Sequence, residues 1–194
     1  MDRDLLSIDD LTPRELGYLL ELSAKVKAQP GDYADRLRGR SVALIFEKPS
    51  TRTRVSFEIA VASAGGHPVA LSSAELQLGR GETIEDTGRV LSRYVQAIVL
   101  RTFEQERLEV LASAASVPVV NALSDFEHPC QCLADLLTIR EVKGELAGEI
   151  VTTIAPETEA DPVAIIAQLL VAFGAAAGRG AVLQVEATRH HPNE

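Results

Sequence analysis

Short apolar runs alternate with longer stretches of helical spacing along the first 142 residues of this chain. Parallel strands need long crossover connections, which helices supply, so this alternation predicts an α/β fold. We expect a three-layer domain, with a central parallel sheet flanked by helices, and a short, mainly helical C-terminal tail. The predicted strands are Val42–Phe46, Val69–Ser72, Ala97–Leu100 and Val117–Val120, and the predicted helices are Val55–Ala64, Ile84–Tyr94, Glu106–Ala115 and Pro129–Val142.

A further helix is predicted ahead of the first strand. Thr12 is suited to the N-cap, Pro13 to the first helical position, and Glu15 to the closing position of a capping box. Leucines at helical spacing follow, and Pro30 with Gly31 ends the pattern.

The turn after the first predicted strand has the composition of an anion site. Ser50, Thr51 and Thr53 offer hydroxyl donors, and Arg52 offers a planar fork that matches phosphate oxygens. The first N–H groups of the following helix have no carbonyl partners and carry partial positive charge. The turn therefore predicts a small ligand that bears a phosphate group. The alternative is that Ser50 caps the helix and the arginines lie on a solvated face, where Arg54 pairs with Glu58.

Other polar residues follow the remaining predicted strands. Ligands of parallel α/β sheets bind outside the carboxyl ends of the strands, so these loops are expected to meet in one pocket. The loops are Ser50–Arg54, Ser72–Glu82, Arg101-Thr102 and Leu123–Gln131.

Composition narrows the range of partners. The formal net charge of −9 argues against binding to a nucleic-acid backbone, which needs a basic surface. Val163–Ala177, the longest apolar stretch, contains Gln168 and is shorter than the roughly 20 residues of a membrane span. Met1-Asp2-Arg3-Asp4 has no signal-peptide core. Cys130 and Cys132 are the only cysteines in the sequence, and they lie two positions apart. We therefore expect reduced thiols, no zinc site and a cytoplasmic protein.

Four segments together resemble the transcarbamylase family, in particular its ornithine carbamoyltransferases. The order and spacing of these segments match the family, and the resemblance extends over about residues 1–148. That part is the carbamoyl-phosphate-binding half of such enzymes, and residues 149–194 form a second segment without a match. The matching segments are Phe46–Glu58, Leu78–Tyr94, Arg101 after a strand, and Asn121–Thr138.

The resemblance implies a role for each candidate residue. Ser50, Thr51, Arg52 and Thr53 resemble the phosphate cradle. Arg101 resembles the arginine that reaches both the phosphate and the carbamoyl oxygen, and His128 the donor to the carbamoyl carbonyl. Gln131 resembles the group that fixes the carbamoyl NH₂. Gln77 resembles a contact supplied by a neighbouring subunit, which implies a homotrimer.

Each of these residues also has a structural interpretation. His128 precedes Pro129 and could cap the next helix, and Arg101 could be a surface charge. Gln131 could simply lie at a helix N-terminus without contacting a ligand, and a loop amide such as Gln77 has many possible uses.

The loop from Ala74 to Thr83 favours the ornithine type over the aspartate type. Aspartate carbamoyltransferases share the turn and the His-Pro-x-Gln pattern but normally carry a lysine in this loop, and none is present here. Gly88 departs from the family, which usually has Ala at this position, and should loosen its helix slightly.

The implied reaction transfers a carbamoyl group from carbamoyl phosphate to the side-chain amine of L-ornithine, giving citrulline and phosphate in arginine biosynthesis. The resemblance implies no metal or organic cofactor. An aspartate carbamoyltransferase-type enzyme and a non-catalytic carbamoyl phosphate-binding or assembly module are the alternatives.

Residues 149–194 do not contain the acceptor-binding motifs of the family, so turnover by this chain would be incomplete. Val163–Ala177 is predicted to be helical, and Ala181–Ala187 a short strand. His190 and His191 are expected to be solvated rather than metal ligands. A fusion remnant without function is a third hypothesis, and failure to bind any phosphate compound would favour it.

Overall fold

A computed structural model describes residues 4–72, 81–143, 183–185 and 188–190. The chain divides into two compact units, Met1–Leu137 and Thr138–Glu194. Gln77, the predicted boundary after Gly148 and the predicted helix Val163–Ala177 lie outside the described residues.

The first unit contains the predicted parallel sheet. Its four strands are ordered β2-β1-β3-β4, and every neighbouring pair is parallel. β2 and β3 extend beyond their predicted ends because their terminal residues continue the pairing with β1, and β4 is shifted toward Asn121. The strands are β1 (Ser41–Phe46), β2 (His67–Ser72), β3 (Ala97–Arg101) and β4 (Val119–Asn121).

Among the described residues, five α-helices accompany the sheet: α1 (Pro13–Ala28), α2 (Arg52–Ser63), α3 (Ile84–Leu91), α4 (Gln105–Ala114) and α5 (Pro129–Lys143). The prediction for α2 began too late, at Val55, because its first turn is polar and lacks the apolar spacing that marks a helix. The prediction for α3 ended too late, because the chain turns after Leu91 and leaves Tyr94 74% exposed.

Helices cover both faces of the sheet, which confirms the three-layer α/β fold. On one face, Ile45 and Leu100 belong to a buried cluster with Leu108 and Leu111 of α4. On the opposite face, Leu44 belongs to a second cluster that includes Val61 of α2. The strands are apolar on both sides, as expected for a parallel sheet between two helical layers.

Gly88 has a packing role that the sequence interpretation missed. It is buried in α3, and a Cβ atom there would lie 3.1 Å from Leu111 Cδ1 and 3.2 Å from the Leu111 carbonyl oxygen. The glycine therefore lets α3 approach α4 closely.

The N-terminal segment pairs with the edge of the sheet. Leu5 forms a parallel bridge with Val120, in which Leu5 N–H donates to the Val119 carbonyl at 2.9 Å. The predicted capping box then begins α1, with Thr12 Oγ1 accepting from the Glu15 N–H at 3.3 Å.

In the second unit, the structure describes a short antiparallel pair, β5 (Leu183–Val185) and β6 (Thr188–His190). β5 lies within the strand predicted at Ala181–Ala187, whereas β6 was not predicted. Among the described residues, no helix combines the length and the hydropathy needed to cross a membrane.

Candidate active site

The predicted site residues that the structure describes lie at the carboxyl edge of the sheet, where the strand order changes direction. The strand that follows β1 in the chain lies on one side of it, and β3 lies on the other. Phe46 is paired with Arg101, so β1 and β3 end at the same level. Loops that leave such a switch point diverge and open a crevice for a ligand.

The turn after β1 leads directly into α2. Thr51 is the N-cap residue, but its side chain makes no capping hydrogen bond. Ser50 and Thr53 are half-buried, whereas Thr51 and Arg52 are exposed. The first-turn N–H groups of α2 therefore remain available to an anion.

Two of the alternative interpretations of this turn can be checked. Ser50 does not cap α2, because the N-cap residue is Thr51. The predicted surface pair is confirmed, with Arg54 Nε 2.8 Å from Glu58 Oε1.

Arg101 ends β3 and faces the turn. Its Nη1 donates to Thr53 Oγ1 at 3.4 Å, and its buried Nε has no hydrogen-bond partner among the described residues. Burial lowers the pKa of the Arg101 guanidinium. A buried N–H of a cation without an acceptor is costly, which favours an anionic ligand at this position.

His128 lies between β4 and α5. Its carbonyl oxygen accepts the Gln131 N–H at 2.9 Å and the Cys132 N–H at 3.0 Å, so the backbone of His128 rather than its imidazole caps the helix. The imidazole Nδ1 is buried and unpartnered within the described part of the chain.

The charge state of His128 follows from its surroundings. Burial lowers the pKa of His128, and the nearby Arg101 lowers it further, while Asp135 acts in the opposite direction. The imidazole is therefore neutral near pH 7. A neutral imidazole offers one N–H donor and one acceptor nitrogen.

Gln131 lies in the first turn of α5 and is exposed. Its Nε2 donates to Asp135 Oδ1 at 2.9 Å, so its amide is engaged within the helix. The structure thus joins Thr53 to Arg101 and brings Arg101 within electrostatic range of His128. It does not join Arg52 or Gln131 to them by a described contact.

Burial raises the pKa of the Cys130 and Cys132 thiols to about 11, and Glu127 and Asp135 contribute to the shift at Cys132. Both thiols therefore stay protonated at neutral pH, which disfavours a nucleophilic or metal-binding role. Within the described ranges, no group of three His, Cys, Asp or Glu side chains is arranged to hold a metal ion.

Asn121 organises the loop that carries His128, a role that no sequence pattern indicates. Its buried side chain donates to the Leu6 carbonyl at 2.8 Å and to the Glu127 carbonyl at 3.2 Å, and it accepts the Leu123 N–H at 2.8 Å. Leu123 has a φ of 127°, a conformation that is strained for a residue with a Cβ atom.

Comparison with known proteins adds independent information. A family model described as "Aspartate/ornithine carbamoyltransferase, carbamoyl-P binding domain" matches residues 3–141. The ornithine carbamoyltransferase of Parafrankia sp. is 61% identical over 149 residues, which cover 75% of this chain and 47% of that protein. The Acidothermus cellulolyticus ornithine carbamoyltransferase is 63% identical over 150 residues, which cover 76% of this chain and 47% of that protein.

The solved structures to which this chain is similar include further ornithine carbamoyltransferases. Ornithine carbamoyltransferase from Pyrococcus furiosus has a TM-score of 0.71 at 52% identity, covering 74% of this chain and 46% of that one. The enzyme from Thermus thermophilus has a TM-score of 0.69 at 45% identity, covering 74% and 50% of the two chains. The chain spans about half the length of the curated relatives it matches.

Proposed function

Because this chain belongs to the aspartate/ornithine carbamoyltransferase family, we propose that the carboxyl edge of its sheet binds carbamoyl phosphate. The phosphate would lie in the turn Ser50–Thr53, and the carbamoyl group between Arg101 and His128. The observation that supports this most directly is that Arg101 Nε and His128 Nδ1 are both buried with no hydrogen-bond partner among the described residues, while Arg101 contacts Thr53 in the first turn of α2.

The chemistry of the ligand fits the phosphate corner, by which we mean the part of the sheet edge formed by Ser50–Thr53, Arg101 and His128. Carbamoyl phosphate is a small dianion with a planar amide, so it needs cationic donors at one end and neutral donors and acceptors at the other. Arg101 and the first-turn amides of α2 supply the former. His128 and Gln131 supply the latter, provided that Gln131 releases Asp135.

We further propose that the acceptor is L-ornithine. Similar proteins over this region are named ornithine carbamoyltransferase, and the Ala74–Thr83 sequence contains no lysine of the aspartate type. The product would be citrulline, formed in arginine biosynthesis.

In the proposed reaction, the deprotonated amine of ornithine attacks the carbamoyl carbon. The new C–N bond forms, the C–O bond to phosphate breaks, and the amine nitrogen gives up a proton, which the departing phosphate would accept. Thr53, Arg101 and His128 would donate hydrogen bonds to the carbonyl oxygen as negative charge develops on it. The enzyme contributes no nucleophile, so catalysis depends on orientation and on these donors.

Binding of carbamoyl phosphate can be tested by calorimetry on the purified chain. Arg52→Ala should abolish measurable binding, because the guanidinium proposed to contact the phosphate is lost. The circular dichroism spectrum should stay unchanged. Arg14→Ala removes an exposed arginine from the first turn of α1 and should bind like the wild type. Unchanged affinity in Arg52→Ala would contradict the proposed cradle.

A non-catalytic carbamoyl phosphate-binding module is the second candidate. The observation that favours it is that the family model that matches residues 3–141 describes the carbamoyl-P binding domain. Citrulline formation from carbamoyl phosphate and ornithine distinguishes the two functions. Binding without citrulline supports the module, and turnover supports the complete enzyme.

The remaining features are proposals of the same kind. We propose residues 1–148 as the binding domain, with residues 149–194 as a separate segment, in a cytoplasmic homotrimer. Gln77 would complete the site of a neighbouring subunit. Light scattering would measure the oligomeric state, and weaker binding in Gln77→Ala would support the shared site.

A further inference from the structure

An ion pair lies immediately beside the proposed phosphate corner. Arg107 of α4 contacts the Glu47 carboxylate through Nη2 at 2.8 Å and through Nε at 2.9 and 3.0 Å. The Thr102 hydroxyl donates a further hydrogen bond to Glu47. The Glu47 side chain is only 10% exposed and that of Arg107 is 34% exposed. Glu47 is thus a nearly buried carboxylate with its acceptors well occupied.

Both β1 and β3 bring Glu47 close to the phosphate corner. Its N–H donates to the Arg101 carbonyl at 2.9 Å, and Thr102 directly follows Arg101. Three residues lead from Glu47 to Ser50, so their Cα atoms are no more than about 11 Å apart.

The side chain of Glu47 lies on the other face of the sheet from that of Arg101. Phe46 and Arg101 are register partners and share a face, and successive residues of a strand alternate between faces. Glu47 and Thr102 therefore lie toward α4, where Arg107 meets them. The carboxylate is directed away from the proposed ligand but remains close to it.

A poorly solvated negative charge at this distance would repel a dianion, since burial weakens screening. We propose that Arg107 is a positioning residue that acts through Glu47: it holds the carboxylate toward α4 in a neutral pair, so that the corner accepts a dianionic ligand. This inference rests on the proposed carbamoyl phosphate site.

A purely mechanical role makes a different prediction. If the pair served only to hold α4 against the ends of β1 and β3, substitution of either Glu47 or Arg107 would weaken binding. If the pair compensates charge, only loss of Arg107 weakens binding, because loss of Glu47 removes the repulsive charge itself. The double variant Glu47→Gln/Arg107→Gln separates these possibilities.

The test is calorimetric titration of the full chain with inorganic phosphate at mildly alkaline pH. We expect Arg107→Gln to bind about tenfold more weakly, as one uncompensated charge near a dianion implies. Arg107→Lys keeps the charge and should stay within about twofold of the wild type. Glu47→Gln should bind as tightly as the wild type or more tightly, and the double variant should recover the wild-type affinity. Weaker binding in all of the Gln variants would overturn charge compensation.

Arg38→Gln is the matched control. It removes one positive charge from an exposed ion pair with Asp35, just before the opposite end of β1. Its affinity should be unchanged, and an equal loss in Arg38→Gln and Arg107→Gln would overturn the inference, because net charge alone would then explain both.

The outcomes also separate this inference from the proposed function. A wild-type chain that binds no phosphate would refute the site itself. Binding that is unaffected by Arg107→Gln would refute only the role of Arg107. If Arg107→Gln does not fold, Glu47→Gln decides: retained or tighter binding supports the inference, and a severalfold loss overturns it.

Discussion

At the scale of single residues, the two unpartnered nitrogens argue most directly for a ligand. A buried donor or acceptor without a partner costs about 1–3 kcal/mol, and more when the group is charged. Arg101 Nε and His128 Nδ1 both carry this cost within the described part of the chain. A ligand that hydrogen-bonds to them recovers the cost on binding, as the proposed carbamoyl phosphate would.

The depressed pKa of His128 predicts how stability depends on pH. In the folded chain the pKa lies below the ordinary value of 6.5, mainly because of burial. Between the pKa values of His128 in the folded and the unfolded chain, the unfolded chain binds more protons than the folded one. The free energy of unfolding therefore falls as the pH falls through this range. We expect His128→Asn to lose less stability than the wild type between neutral pH and about pH 5.

Urea denaturation over a pH series measures this dependence. His67→Asn is the control, because it makes the same substitution at an exposed histidine at the start of β2. A pH dependence in His128→Asn as steep as in the wild type would show that His128 does not cause it.

At the scale of elements, hydrophobic pattern predicted the existence of the strands and helices better than their ends. The pattern located all four strands of the sheet, because burial on both faces leaves an apolar run in the sequence. It missed the first turn of α2, where Arg52 and Thr53 carry no apolar signal. The same polar turn still identified the candidate site, since donors at a helix start have a chemical meaning that spacing lacks.

The neighbours within the sheet could not be predicted from the pattern. Alternation indicates parallel strands, but the order β2-β1-β3-β4 depends on which face each helix covers. The Glu47–Arg107 pair escaped prediction for the same reason. Its residues are 60 positions apart and meet only because β1 and β3 are neighbours.

The connection from α2 to β2 predicts a glycine requirement. Gly65 has a φ of +81°, and a Cβ atom there would lie 2.5 Å from the Ala34 carbonyl oxygen. We expect Gly65→Ala to lower the free energy of unfolding by about 2–4 kcal/mol, from backbone strain plus this clash.

Gly17→Ala provides the contrast in the same denaturation experiment. Gly17 lies in α1, and apart from its chain neighbours and the backbone of its own helix no described atom lies within 4 Å of an added Cβ, so alanine should stabilise the chain by about 0.5–1 kcal/mol. Equal effects of the two substitutions would contradict the strained geometry assigned to Gly65.

At the scale of the whole molecule, a small cationic corner lies in a chain with a net charge of −9. Overall charge disfavours anions at long range, so specific anion binding must come from short-range groups: the α2 N-terminus and Arg101. The acidic composition therefore argues against a nucleic-acid backbone as partner, but it does not argue against a small phosphate compound.

Ligand binding to the folded chain should raise its thermal stability. A ligand at a hundredfold excess over its Kd stabilises by about 2.7 kcal/mol, which corresponds to several degrees in Tm. We expect phosphate to raise the Tm of the wild type and of Arg14→Ala by this mechanism, compared with chloride at equal ionic strength. Arg101→Met should lose most of the increase, because it removes the guanidinium whose Nε–H has no partner among the described residues and would donate to the ligand.

Phosphate also stabilises proteins without binding, because it is excluded from their surfaces. That effect is indifferent to a single side chain and grows steadily with concentration, whereas occupation of a site saturates. A saturating rise in Tm that Arg101→Met abolishes would support the proposed corner. An equal, unsaturated rise in both chains would mean that phosphate acts only as an excluded salt and that Arg101 does not hold it.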